Sequence, residues 1–229
     1  MFEKLINKNP NFSKFIEIKG EYLHKQIYDL LLELNGQEEV NYEELSSIIR
    51  YDKCLRDKLY IYLATFEEYI RAYIFRNYDL TETPKEKNVP IDELVKITVK
   101  NLENDNSKLY YYFNYDLGKT ISYLEQNNDE LVKSHDLKSI RQLRNHVMHH
   151  NLVTIGNSKT VKEMFDNLKK LKNQILTLKN ALPEDYRKGF INDINKLKCD
   201  NKVFKVKIWI WKNMYQKKKS NHIKKILQK

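Results

Sequence analysis

Leu55, Leu59, Leu63, Phe66, Ile70 and Ile74 recur at intervals of three and four between Asp52 and Arg76, with no glycine or proline in the run. On a helix that spacing lays large apolar side chains along one stripe, whereas a strand would divide them between two faces. A stripe this long cannot be left in water, so the rest of the chain has to cover it. The 229 residues include only 5 Gly and 4 Pro, and so few breaks favour further helices. The expected class is all-α, with this segment as the central pillar of the core.

Other segments repeat the helical spacing. "EYLHKQIYDLLLELNG" places Leu23, Ile27, Leu30, Leu31 and Leu34 on one face and closes at Asn35-Gly36. "NYEELSSII" is expected as a short second helix, with Asn41 and Glu44 in capping-box positions. "YDLTETPKEKNVP" predicts a surface loop, "IDELVKITVKNL" a helix, "NDNS" a turn, and "KLYYYFNYDLGKTISYLEQ" a helix with an irregularity near Gly118. "SHDLKSIRQLRNHVMHHN" is expected to open at Ser134 or Asp136 and close at Asn151, with Leu137, Ile140, Leu143, Val147 and Met148 turned inward.

Further on, "SKTVKEMFDNLKKLKNQILTLKNAL" aligns Val161, Met164, Phe165, Leu168, Leu171, Ile175 and Leu178, and "PEDYRKGFINDINKLK" starts a helix near Pro183. Residues 203–211 are ambiguous. Val206, Ile208 and Ile210 alternate like a strand, whereas Phe204, Ile208, Trp211 and Tyr215 have helical spacing. Helix is the expectation there, for want of a second strand to pair with. A single domain over residues 1–229 is expected, its core at about 20–182 with a basic extension over 201–229.

The charge is unevenly placed. Residues 201–229 hold ten of the 41 basic side chains and no acid, leaving 31 basic against 31 acidic residues in the rest. The whole net +10 therefore sits in this extension, beside the rings of "WIWKNMY". Lys217, Lys218 and Lys219 offer cations to a polyphosphate such as RNA; a solvated lysine face is the other reading. Cys54 and Cys199 form no CxxC pair, no signal peptide opens the chain and no apolar run is long enough to span a bilayer. A reduced, cytoplasmic protein without membrane association is expected.

The densest group of functional side chains is "RQLRNHVMHHN", residues 141–151. At about 100° per residue, Arg141, Arg144, Asn145 and His149 share an arc of roughly 140° beside the apolar face. Guanidinium, amide and imidazole on one strip suit phosphoryl transfer on RNA: an imidazole moves the proton and an arginine meets the developing phosphorane charge. Such chemistry needs neither metal nor cofactor. Three other readings compete: an exposed helix end with cations near its C-terminus, a metal site using His146 and His150 at i, i+4, and a partner-binding surface. A zinc site needs further ligands, and no HExxH or CxxC stands nearby.

"RNHVMH", Arg144 to His149, resembles the R-x4-H signature of the HEPN superfamily (higher eukaryotes and prokaryotes nucleotide-binding), in its form with Asn after Arg. Upstream, "DKCLRDKLYIYLATFEEYIRAYI" resembles the D-x-x-L-R…E-x-x-I-R-A helix of Abi-like (AbiD/AbiF) abortive-infection proteins. "YDLGKTISYL" is similar to that family's F-G-x-L-S-x-L-Y stretch, with Asp-Leu in place of the aromatic before the glycine. "HHN" at 149–151 also suits the family, and Asn151 stands where HEPN toxins paired with nucleotidyltransferases usually carry tyrosine. The resemblance covers about residues 50–152.

It implies an up-and-down helical bundle with additional helices that dimerises, joining two R-x4-H helices into one composite, metal-independent endoribonuclease site. Such a protein would act in phage defence or as the toxin of a toxin–antitoxin pair, restrained by a small RNA or a protein. Carried onto this chain, His149 is the general acid or base, Arg144 the phosphate clamp and Asn145 the residue that orients His149 or holds a phosphate oxygen. Arg141, His146 and His150 are auxiliary. The alternative is a non-catalytic RNA-binding module of the same fold, and a third reading is a helical scaffold that dimerises through 141–151.

Overall fold

The computed structural model describes residues 2–78 and 117–197. Eight helices account for 75% of these residues, so the chain is mostly helical there. In chain order they are α1 (Phe12–Lys19), α2 (Glu21–Leu34), α3 (Tyr42–Asn77), α4 (Leu117–Gln126), α5 (Glu130–Ser134), α6 (Leu137–Met148), α7 (Val161–Ala181) and α8 (Glu184–Lys196). A two-residue parallel pairing joins β1 (Leu5–Ile6) to β2 (Val40–Asn41), with Leu5 opposite Val40. The expected loop at 78–90, the helix at 91–102 and the ambiguous 203–211 segment lie outside the described residues, save Tyr78 itself.

The pillar is longer than its spacing predicted. Residues 42–77 form one helix of about 54 Å, and the expected short second helix is its first part. Leu45, Ile48, Tyr51 and Leu55 carry the apolar spacing across the supposed gap, with Asp52 seated among them and fully buried. Asn41 caps the helix by accepting from Glu43 N at 2.9 Å, one residue earlier than a capping box requires.

Two apolar clusters share this helix. Its first half packs with α2, β1, β2 and the start of α7 around Ile27, Leu45 and Val161. Its second half packs with α4, α6, α8 and the end of α7 around Leu63, Phe66 and Ile140. Where they adjoin, Asp52 accepts from Arg56 Nε at 2.7 Å and from both Thr154 N and Thr154 Oγ1 at 2.8 Å. This buried carboxylate is compensated on every side, which is the condition for burying a charge. Thr154 belongs to the segment leaving α6, so the same contacts fix where that helix ends.

Polar contacts close the outer seams. Tyr62 donates to Asp193 at 3.1 Å, joining α3 to α8, and burial followed by this bond pushes its phenol up to about 12. Asp129 caps α5 by accepting from Leu131 N at 2.7 Å and also accepts from the hydroxyls of Tyr73 and Tyr78. Burial, first, raises the Tyr78 phenol above its ordinary range. No helix among the described residues is long and apolar enough to cross a membrane.

Candidate functional site

α6 opens at Asp136, whose carboxylate accepts from Ser139 N at 3.0 Å; Ser134 instead ends the short α5. Leu137, Ile140, Leu143 and Val147 are buried, as their spacing predicted, while Met148 is half-buried. The helix is flanked by α3, α4 and α7. Both α3 and α7 run antiparallel to it. On the α3 side, Glu67 meets Arg144 and Asp52 meets Thr154. On the α7 side, Gln174 donates to Ser139 O at 3.2 Å and Asn167 donates to Val153 O at 2.9 Å.

Arg144 is the most firmly placed member of the strip. Its Nε donates to Glu67 Oε1 at 2.6 Å, and Arg71 Nη1 lies 3.8 Å from the other carboxylate oxygen. Glu67 is only 15% exposed and Arg144 30%, so the pair is partly shielded from water and the guanidinium is held in one orientation. Glu67 and Arg71 are the acid and the arginine of the E-x-x-I-R-A stretch. Spacing had singled out neither as a partner of Arg144.

Arg141 lies toward α4. A Cβ added to Gly118 would come within 2.6 Å of Arg141 Nη2, so a side chain there displaces the guanidinium from the start of α4. From Leu117 on the segment is regular helix, and Gly118 is where it approaches Arg141 closely; residues 108–116 of the expected helix lie outside the described residues.

Asn145 is half-buried and His149 exposed. His149 N donates to Asn145 O at 3.0 Å, which keeps the histidine one helical turn beyond the asparagine. The strip predicted from 100° per residue therefore holds as far as His149, which is the C-cap.

Regular helix geometry stops at the next residue. The helix was expected to run to Asn151, but it ends at Met148. His150 adopts φ of +56°, its N–H bonds Val147 O at 3.1 Å, and Asn151 N bonds His146 O at 3.0 Å. This is a Schellman stop with histidine in the left-handed position. Helical angles no longer apply to His150, and the i, i+4 spacing with His146 on which a shared metal ligand depended is lost. Among the described residues no group of three His, Cys, Asp or Glu side chains is arranged to hold a metal ion.

The strained position makes a prediction. His150→Gly should raise stability by about 0.5–1 kcal/mol, because glycine takes the left-handed region without a Cβ clash. Chemical denaturation reads the gain directly. A loss of stability would place His150 in a packing role the structure does not give it.

His146 is on the other rim of the strip, near α7, where burial and then the charge of Lys170 lower its pKa. Lys217, Lys218 and Lys219 lie outside the described residues. The structure thus brings together Arg144, Asn145 and His149 with Arg141 beside them, sets His146 to one side, and turns His150 out of the helix. No protein-family model, no curated protein and no solved structure matches this chain.

Proposed function

We propose that the chain is a HEPN-like, Abi-like endoribonuclease that cuts RNA without a metal, at a composite site made when two copies bring their α6 strips together. The observation that carries this reading is the Glu67–Arg144 bond of 2.6 Å, on the same strip as the half-buried Asn145 and the exposed His149. A guanidinium already oriented before substrate arrives serves a developing phosphorane better than a mobile one, since no reorganisation is left to the moment of reaction. Glu67 takes Nε, and the terminal nitrogens are the ones a phosphate would meet.

In the reaction the 2′-oxygen attacks phosphorus and the bond from phosphorus to the 5′-oxygen breaks. One imidazole takes the 2′-hydroxyl proton and an imidazolium gives a proton to the departing 5′-oxygen. The strip itself carries one imidazole, His149, so a second copy supplies the second. Products are a 2′,3′-cyclic phosphate and a 5′-hydroxyl. Abortive infection or a toxin–antitoxin pair, held in check by a small RNA or protein partner, is the setting this activity fits.

Cleavage assayed with purified protein in EDTA, beside its native mass at micromolar concentration, tests the proposal. Undiminished cutting by a dimer is expected. Activity that vanishes with the chelator, or cutting by a strict monomer, would overturn the metal-independent or the composite part respectively.

A further inference from the structure

α6 has one aromatic rim and one cationic rim at the level of His149. On α3, Tyr60 falls between the two residues that pin that helix to α6 and its exit, Asp52 and Glu67. It precedes Glu67 by two turns, within about 20° of the same face. The residue is 53% exposed, so it contributes little to the core. On α7, Lys170 likewise falls between the anchors Asn167 and Gln174. It is exposed, and it is close enough to His146 to affect that imidazole. Between the rims, α6 carries Lys138, Arg141, Arg144 and His146 and no acid from Leu137 to Met148.

We propose that single-stranded RNA crosses α6 from rim to rim, one base stacked on the Tyr60 ring and a backbone phosphate held by Lys170, with the strip between them. This rests on RNA being the ligand, as argued above. The two rims contribute different chemistry. A phenol ring offers a π-face that any base can stack on, and that contact is insensitive to salt. An ammonium on a phosphate releases counterions and so sets part of the salt dependence.

The difference allows the two halves to be tested separately. The probe is a fluorescent 2′-O-methyl RNA oligonucleotide, which lacks the attacking hydroxyl, titrated with the full-length protein at several salt concentrations. Tyr60→Ala should weaken binding about tenfold with an unchanged salt slope, and Tyr60→Phe should bind like wild type. Lys170→Ala should make the slope of log affinity against log salt shallower by about 0.7. Both side chains are exposed, so unchanged thermal unfolding checks that the fold is intact.

Wild-type affinity in Tyr60→Ala overturns the stacking half, and an unchanged slope in Lys170→Ala overturns the phosphate half. If both variants behave as expected while unmodified RNA stays intact, the path stands and the cleavage proposal falls. A wild-type protein that ignores the probe overturns both.

Discussion

Arg144→Ala and His149→Ala should each slow RNA cleavage by about 100-fold or more, the histidine variant with little change in unfolding temperature. The magnitude follows from the roles: an acid or base contributes about 10²–10⁴-fold and a charge-stabilising donor about 10²–10³-fold. His149 is exposed, so its removal costs little stability, whereas Arg144→Ala leaves the 15% exposed Glu67 with only Arg71 nearby and should also lower the unfolding temperature. Glu67→Gln is informative because it keeps an acceptor for Arg144 Nε but removes the charge. A charged hydrogen bond contributes about 1.5–3 kcal/mol, so a loss of about tenfold in rate is expected. Single-turnover rates on a defined RNA measure all three. Wild-type rates in either alanine variant would remove that side chain from the chemistry.

The largest stability effect should come from Asp52→Ala. Asp52 is fully buried and Arg56 is 15% exposed. Removing the carboxylate leaves a guanidinium unpaired in a mostly dry site and takes the acceptor from two donors of Thr154. Breaking a buried pair from one side costs about 3–5 kcal/mol. Lys53 and Asp57, only one turn along on the same helix and each 59% exposed, provide the contrast: severing that solvent-screened pair should leave the unfolding midpoint almost unchanged. Urea unfolding of the two variants side by side decides the point, and equal midpoints would contradict the buried-pair account. Because Thr154 follows closely on His149, Asp52→Ala should also loosen the end of α6 and reduce cleavage below the temperature at which the chain unfolds.

Apolar periodicity made α2, α7, most of α3 and most of α6 legible, because each buries a stripe on a neighbour; α8, which buries only Phe190, was marked by its opening proline instead. It failed where burial is not apolar. The spacing predicts the pillar only from Asp52 on, yet Asp52 itself occupies a core position by virtue of Arg56 and Thr154. α1 buries no residue, so it carries no stripe to find, and α5 and the two-residue strands are too short to display a period.

The candidate site divides in the same way. Arg144, Asn145 and His149 lie within one helix, where local spacing dictates their placement. Glu67 is 77 positions from Arg144, and nothing local links them; the acidic position of the E-x-x-I-R-A stretch was the one signal available. The end of α6 was expected at Asn151, but His150 takes a left-handed conformation that only glycine or asparagine would have announced, and the helix stops at Met148.

The proposed cleavage of RNA by the α6 strip, through His149 and without a metal, leaves a chemical signature. Mapping the chemical ends of RNA incubated in EDTA with wild type and with His149→Ala tests it most directly. Wild type is expected to leave 2′,3′-cyclic phosphate and 5′-hydroxyl ends that the variant does not produce. RNA that is bound but stays intact with wild type, or the same ends at the same rate from His149→Ala, would contradict it.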